Sequence, residues 1–594
     1  MRSQLIDRRD LQFLLHELLA VETLTQLPRF AEHSRETFDA AIDSALRIAT
    51  ERYAPHRQRS DSDEPRIEAG RVVLPPEVAP ALRAFVDAGF LAATHDHEDG
   101  GMQLPRTVAN ACWALFKSAN VATDTYATLT IGVANMVHAF GSAAQRARWL
   151  PPLLDGRHFG TMVLTEPQAG SSLAEIRASA TPRADGRYII RAQKIFITAG
   201  DHELSDNIVH LVLARLPDAP PGVKGLSLFI VPKRRDDGTP NDVALAGLIH
   251  KMGSRGTTST MLNFGERGDC IGELLGPPHQ GLACMFQMMN EARINVGISA
   301  TMLAYAGYLH ALAYARERMQ GRATPDPRSP PVPIVRHADV RRMLLAQKVV
   351  AEGGLALCLH ASLLADRAEL DPDATERHQA RLQLDLLTPV IKAWCSTQGV
   401  LANSLAIQVH GGYGYTREYP VEQLLRDNRL NSIHEGTDGI QALDLLGRKV
   451  GAEGGAALAL LGTAMLRTVA ETRALDDETL AAHATQLERA WHELAHTTAT
   501  LLAALPAQPQ LALANASVYL EAFGHTLVAW LWLRQAVIAQ PHRNHPDDAE
   551  ARFYRGKLAA ARHFFSHELP RTAPQHTLLR SLDAGLVELD DTCL

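Results

Sequence analysis

The chain changes texture twice, and the order of the textures leaves few folds open. Up to about residue 158 apolar residues recur at helical spacing, as in LQFLLHELLAV (11–21) and FAEHSRETFDAAIDSALRIATERYAP (30–55), the latter stopped by Pro55. From Phe159 the pattern becomes short β-rich runs (GTMVLTEP, RYIIRAQKIFITAG, NIVHLVLARL, GLSLFIVPK, STMLNFGERG) broken by Gly, Pro and Asp-Gly turns, at the spacing of a sandwich or barrel. Helical texture returns at about Ala283 and runs to Val450, interrupted by the Pro-rich stretch 324–335, which reads as an extended loop. A Gly-rich hinge, GAEGGAA (451–457), then opens an Ala/Leu-rich helical tail without a short-period repeat. One block of strands enclosed by helices, with no strand–helix alternation, argues against Rossmann and TIM folds. No Gly-rich fingerprint or Walker loop stands between a strand and a helix. The expected fold class is α+β multidomain. Its segments are a helical N-terminal domain over 1–158, a β domain over 159–282, a helical domain over 283–450 and an additional helical domain over 451–594.

Composition bounds the function. At 594 residues, 46% hydrophobic and 21% charged, the chain is long enough for several globular cores. The formal net charge of −7 lacks the basic excess of a nucleic-acid binder, so none is expected. Six scattered Cys without a C-x-x-C pair read as free, mostly buried thiols of a reducing compartment. The first 24 residues mix Arg8, Arg9, Asp10 and Glu17 among leucines, unlike a signal or transit peptide. No run of 18 apolar residues appears, so no membrane span and a cytoplasmic location are the expectations.

Three places carry residue types that do chemistry. MVLTEPQAGSSLAEI (162–176) offers the hydroxyls of Thr165, Ser171 and Ser172, and Gly170 lets backbone N–H groups approach an anion; the same residues also make an ordinary turn leaving a strand. In QVHGGYGYTREYPVEQLLRDNRLNSIHEGTDGIQ (408–441), two glycine pairs lie beside three tyrosines, and Glu435 stands against Gly436 just ahead of a helical run. A carboxylate in an apolar, glycine-opened pocket makes a general base, while an acid at a helix N-terminus also simply complements the dipole. HELAH (492–496) matches the zincin pattern, but no third ligand stands at zincin spacing and the setting is a His-rich helical tail. The cluster His95, Asp96, His97, Glu98, Asp99 reads as a solvated loop, and no metal is expected at either place. Met162, Met285, Met288 and Met289 read as core rather than as a soft pocket lining.

Several long motifs, in order over about residues 160–450, resemble the acyl-CoA dehydrogenase family. LTEPQAGSS resembles its T-E-P-x-A-G-S signature, KIFITAG its K-x-W-I-T-N-G strand, and KMGSRGTTST the β-domain motif that follows. YARERMQGR resembles its A-x-x-R helix, QVHGGYGYTREYPVEQLLRD its Q-x-x-G-G-x-G-Y segment, and IHEGTDGIQ the I-Y-E-G-T motif that carries the catalytic Glu. The start of the chain, DVRRMLLAQKVVAEGGLAL and the extra C-terminal domain are similar to a longer subclass, the 3-methylmercaptopropionyl-CoA and broad-range acyl-CoA dehydrogenases.

The resemblance implies a β-barrel-like middle domain and a four-helix bundle, with FAD between them and its pyrophosphate half toward a partner subunit; the extra tail would replace the second dimer of the tetrameric shorter enzymes, so a homodimer is expected. It implies desaturation of an acyl-CoA to the trans-2-enoyl-CoA and transfer of electrons to an electron-transfer flavoprotein. The alternatives are an acyl-CoA oxidase and a flavin-containing, nucleic-acid-associated relative, against which the acidic balance speaks. Carried over by position, Glu435 is the base; its backbone N–H and a flavin ribityl hydroxyl would hold the thioester oxygen. Thr165 and Thr198 would bond the isoalloxazine edge, with Met162, Leu164 and Ile197 along the same wall and Phe196, where Trp is usual, packed on the ring. Ser171 would meet the pyrophosphate or CoA, Arg318 the pyrophosphate across the dimer, and Gln408, Gly411 and Gly412 the adenosine half, with Thr437 beside the cofactor. Asn290 and Arg293 occupy the CoA-holding D-x-x-R place, with Asn for the usual Asp, and His434 replaces the usual Tyr at the substrate, as a filler of the pocket or a tuner of Glu435. Ser172 replaces an Asp, Gly439 stands where Gln is common, and RMQGR lacks the Phe-Gly after its Arg.

Overall fold

The computed structural model describes residues 4–323, 326 and 328–594, with the backbone alone at 286–289. The fold is helical at both ends with a central sheet domain. Its residues gather into two compact units: His33–Ala292, and Arg293–Leu594 together with Met1–Glu32. Residues 4–32 therefore pack with the C-terminal helices, not with the N-terminal helices they adjoin in sequence.

Within His33–Ala292, the helix Arg35–Ile48 begins in a capping box: Ser34 Oγ accepts from Thr37 N, and Thr37 Oγ1 accepts from Ser34 N. Its buried positions Phe38, Ile42, Ala45 and Ile48 lie three or four apart, one helical face. The long helix Arg106–Phe140 breaks its regular geometry at Asn120 (φ −162°, ψ 89°), whose Oδ1 accepts from Thr123 N and so starts the second half again. The buried pair Lys117 Nζ–Asp124 Oδ2, 2.6 Å, bridges that break.

A hairpin, β1 (Arg66–Glu68) and β2 (Arg71–Val73), precedes the main sheet. That sheet contains β3 (His158–Val163), β4 (Ser179–Pro182), β5 (Tyr188–Thr198), β6 (Asn207–Arg215), β7 (Leu226–Pro232), β8 (Val243–Leu248), β9 (Ser259–Phe264) and β10 (Ile271–Leu275). Its path is β10-β7-β6-β4-β5-β9-β8, with β3 parallel to β6. Because β10 also pairs with β5, the strands β10-β7-β6-β4-β5 close on themselves, the barrel-like element of the domain. β6 and β7 are buried along nearly their whole length, with Leu211, Leu213, Leu228 and Ile230 at their centre. β3 lies close against the long helix, where a side chain at Gly160 would meet Val133 at 2.5 Å.

In the other unit, the helices Ala338–Leu370 and Ala374–His410 pack along one another. Ala338–Leu370 and Gly281–Glu317 are long and apolar enough to cross a membrane by length and hydropathy; their most apolar windows are 89% and 72% buried in the protein itself. The C-terminal helices Ala456–Arg473, Glu478–Ala504, Ala516–Ala539, Asp548–His563 and Thr572–Ser581 surround Ala516–Ala539, which is apolar all round and accordingly buried. Trp532 on that helix donates to the Val349 carbonyl at 3.2 Å, across a gap that only Gly353 permits: a Cβ there would meet the indole nitrogen at 2.7 Å. The N-terminal segment docks on the same helices. Arg9 reaches Glu550 and the Tyr554 hydroxyl, each at 2.9 Å.

Candidate active site

Two regions, one in each unit, bring together the residues singled out in the sequence. In the β unit, the T-E-P and K-I-F segments are knitted by a buried ion pair, Lys194 Nζ–Glu166 Oε1, 2.9 Å. Glu166 also accepts from Arg177 N and Ala178 N, and Lys194 donates to the Leu164 and Leu213 carbonyls. The pair thus anchors the loop carrying Thr165 to the strand carrying Thr198. Burial lowers the Lys194 ammonium to about 8, with Glu166 opposing it.

β5 shifts register against β9 between Lys194 and Ile197, and of the two residues inside the irregularity, Ile195 and Phe196, Phe196 has φ 58°. The bulge turns Phe196 outward, 59% exposed. Thr198, two residues on, is half-buried, as are Leu164 and Thr165 on the segment whose Thr165 carbonyl accepts from Ile195 N, and Ser171 and Ser172 are exposed. Met162 and Ile197, expected along the same wall, are buried in the β core, as is Met285 on the helix Gly281–Glu317. The side chains of Met288 and Met289 lie outside the described residues.

In the helical unit, a pocket of about 500 Å³ is lined by Tyr314, Arg318, Gln408, Gly411, Gly412 and Tyr413, among others. Gly411 has φ 62°, and a Cβ at Gly411 or Gly412 would stand in open space, so this backbone is bare to an approaching ligand. The Arg318 guanidinium makes one long contact, 3.5 Å to Gln320 Oε1, and lies 5.9 Å from the Tyr413 ring centroid. Tyr314 stacks on His410 at 4.4 Å. An exposed guanidinium beside a glycine shelf and tyrosines is the donor set that suits a dinucleotide's phosphates and base.

Glu435 lies in the same unit, on the short loop between the helix Val421–Arg429 with its 3₁₀ extension and the helix Asp438–Asp444. Its backbone is in the left-handed region, φ 54°, followed by Gly436 at φ 84°. Such a conformation in a non-glycine residue is rare and collects at functional sites. Two contacts hold the loop downstream. Gln441 Nε2 donates to the Glu435 and Gly436 carbonyls (3.0 and 3.2 Å), and Thr437, placed beside the cofactor by sequence, caps the helix through its Oγ1 and Ile440 N.

The Glu435 carboxylate makes no hydrogen bond among the described residues. Burial raises its pKa above the ordinary glutamate value, and the cations Lys392 and Arg293 temper the rise. Lys392 is fully buried and bonds Asp438 Oδ1 at 3.2 Å. Arg293, at the place expected to hold CoA, gives a nitrogen to Asp444 at 2.9 Å, and its buried Nε has no partner among the described residues. Asn290, on the same long helix, is half-buried. His434 is pushed down to about 3 by burial and by Lys392, so it is neutral, and its Nε2 meets Asn431 Oδ1 at 3.2 Å.

The two metal patterns resolve differently. His492 and His496 are exposed, and Glu493 between them is spent on Arg580 at 2.7 Å. In the 95–99 loop His95 is buried against Asn135 rather than solvated, and His95, Asp99 and His138 bring ligand atoms within 4.8 Å of one another. What sequence reasoning missed near the base is Lys392, Asn431 and Gln441; Lys392 and Gln441 lie 43 residues before and 6 after Glu435, in segments whose pattern reads only as helix.

Four family models match the chain in order: "Acyl-CoA dehydrogenase, N-terminal domain" over 35–157, "middle domain" over 161–266, "C-terminal domain" over 279–450, and "Acetyl-CoA dehydrogenase C-terminal like" over 463–590. The chain belongs to the acyl-CoA dehydrogenase family, whose members are FAD-dependent oxidoreductases. It is 37% identical to the 3-methylmercaptopropionyl-CoA dehydrogenase of Ruegeria pomeroyi, covering 97% of each chain. It is 33% identical to the broad-specificity linear acyl-CoA dehydrogenase of Mycobacterium tuberculosis, covering 98% of each. Among solved structures it shares its fold with Caenorhabditis elegans ACDH-11 in complex with C11-CoA (TM-score 0.75, 20% identity, 94% and 91% of the chains). It shares it also with an acyl-CoA dehydrogenase of Bacillus anthracis complexed with FAD (TM-score 0.71, 19% identity, 94% and 93%).

Proposed function

We propose that the protein is an FAD-dependent dehydrogenase that converts an acyl-CoA thioester to the trans-2-enoyl-CoA, with Glu435 as the base. The observation that carries the reading is the Glu435 carboxylate: unbonded, raised by burial, and fixed on a strained loop. A base raised above the ordinary carboxylate range and held in one place suits abstraction of a weakly acidic α-proton. The α-proton goes to the Glu435 carboxylate, the β-hydrogen leaves with its electron pair, and the Cα–Cβ double bond forms. FAD, when bound, supplies the two-electron acceptor for that hydrogen. The backbone N–H of Glu435 is the chain's own donor for the thioester oxygen as enolate character develops. Lys392 and Arg293 favour the ionised form of the base before turnover.

Residues present suit the cofactor. In the helical unit Arg318, Gln408, Gly411 and Gly412 would hold the dinucleotide half of a cofactor shared across the proposed dimer; in the β unit Thr165, Thr198 and the outward-turned Phe196 would meet a flavin ring. The proposed substrate is a fatty acyl-CoA or 3-methylmercaptopropionyl-CoA, the acceptor of the electrons an electron-transfer flavoprotein, and the assembly a homodimer.

Anaerobic addition of butyryl-, octanoyl- and 3-methylmercaptopropionyl-CoA to the purified protein tests the reading. Flavin bands that bleach with one of them support it, and the ranking gives the substrate. Bleaching followed by rapid peroxide release in air replaces the dehydrogenase by an oxidase. A colourless protein that takes up no FAD overturns it.

A further inference from the structure

Upstream of the base, four side chains form a directed hydrogen-bond ladder inside the helical unit. Asn403 Nδ2 donates to the Leu303 carbonyl at 2.9 Å, which turns its Oδ1 toward Asn428. Asn428 Nδ2 donates to that Oδ1 at 2.7 Å and to the Ala300 carbonyl at 3.0 Å. Asn428 Oδ1 accepts from Asn431 Nδ2 at 3.0 Å, and Asn431 Oδ1 meets His434 Nε2 at 3.2 Å. The three asparagines are 0%, 0% and 5% exposed. Anchored on two helix carbonyls, each amide has one allowed orientation, and the order of donors propagates to the last rung. The imidazole must therefore donate from Nε2, which leaves Nδ1 as its lone-pair atom. Ser396 Oγ also donates to the Asn431 carbonyl at 3.1 Å, so side chain and backbone of this residue are both held.

His434 immediately precedes Glu435, whose positive φ needs support from both flanks. Gln441 supplies it downstream; the ladder supplies it upstream. We propose that Asn431, oriented by Asn428 and Asn403, is a positioning residue for the base: it fixes His434 in the Nε2–H form and through it holds the loop that aims the Glu435 carboxylate. The inference rests on the function proposed above. It also gives His434 a role other than filling the place of a tyrosine. Were His434 only steric, the amide facing it would be free to be any residue of similar volume.

Lys392 from the helix Ala374–His410 faces both His434 and Glu435, Arg293 from Gly281–Glu317 faces Glu435, and Asp438 is bonded to Lys392. None of these changes in the two variants that test the inference. Asn431→Leu keeps the volume and removes both side-chain bonds. The rate constant of flavin reduction at saturating thioester should fall about tenfold or more, as a slight misplacement of a reacting group does, while the apparent Kd of the thioester moves less than about threefold. Backbone hydrogen exchange over 432–437 should rise, with 421–429 unchanged.

Asn431→Asp leaves a carboxylate where His434 donates, so the imidazolium becomes accessible. Flavin reduction should then acquire a new ionisation at about pH 6–8 that the parent lacks and that Asn431→Asp/His434→Gln loses. Folded Asn431→Leu that reduces at the parent rate with parent exchange overturns the inference. If that variant does not fold, Asn431→Asp without the new ionisation overturns it instead. Failure of the function itself looks different: the parent protein would not be bleached by any thioester. Exchange over 432–437 in either variant then decides the ladder alone, with unchanged exchange overturning it.

Discussion

Two clusters of buried charge sit in the helical unit, and they are built in opposite ways. In the first, Lys557 from the C-terminal helices bonds Asp10, Glu352 Oε2 at 2.8 Å and Gln535 Oε1 at 2.9 Å. Lys348 closes the other oxygen of Glu352, and the Tyr305 hydroxyl gives Asp10 a 2.8 Å bond. Two ammoniums answer two carboxylates and both carboxylates are bonded at each oxygen. Burial works against Glu352, yet Lys348 and Lys557 hold it below its ordinary value, while burial and Glu352 push Asp10 up to about 6.

The second cluster is Glu435 with Lys392 and Arg293. Here both cations have other carboxylates, Asp438 and Asp444, and the remaining acid is left without a bond. A closed constellation specifies how segments hundreds of residues apart meet; an open one holds a proton acceptor in reserve. The comparison teaches that burial of charge is not by itself a sign of chemistry. The missing bond is.

The comparison can be broken at either cluster. Lys557→Met should be the largest effect, because it removes a bond from each of two buried carboxylates and leaves Asp10 without a cation: about 3–5 kcal/mol of stability by denaturant titration, with flavin reduction per folded molecule unchanged. A variant that stays stable but reduces poorly would reverse the roles of the two clusters.

Next comes acid. His202, His210, His360 and His434 are each pushed down to about 3, chiefly by burial. A folded-state pKa below the unfolded 6.5 contributes stability that is whole above pH 6.5 and is lost as pH falls toward 3. Unfolding free energy measured from pH 7 to 4 should fall steadily in that window, and a flat profile would contradict the neutral, buried assignment.

The smallest effect sharpens the open cluster. Lys392→Met removes a cation that lowers the Glu435 pKa, so the rising limb of flavin reduction against pH should move to higher pH. A shift to lower pH would remove Lys392 from the account.

Much of this was legible in the sequence, for physical reasons. Helical and strand periods are local, so the helix–strand–helix order shows as texture, and the loop of Glu435 is a contiguous string, IHEGT. The buried clusters are not local. Asp10 meets Lys557 across 547 residues, and no period within residues 1–32 announces that they pack with the far end of the chain. Asn428 and Asn431 stand three apart, a visible helical spacing, but Asn403 lies 25 residues earlier and its amide orientation is set by a carbonyl of another helix. Phe196 was read from its motif place as a ring-packing residue; that it stands exposed on a bulge follows only from the register shift against β9. For Arg293 the motif gives a position and a charge, and not the acid, Asp444, that it pairs with.

The central claim is that Glu435 takes the α-proton. Its most direct test is Glu435→Gln, which keeps size and removes the base. Stopped-flow mixing with the preferred acyl-CoA should show the spectral shift of thioester binding with the flavin left oxidised, a loss of reduction rate of at least about 10³-fold. Flavin that bleaches at the rate of the parent protein would contradict the account and move the base elsewhere.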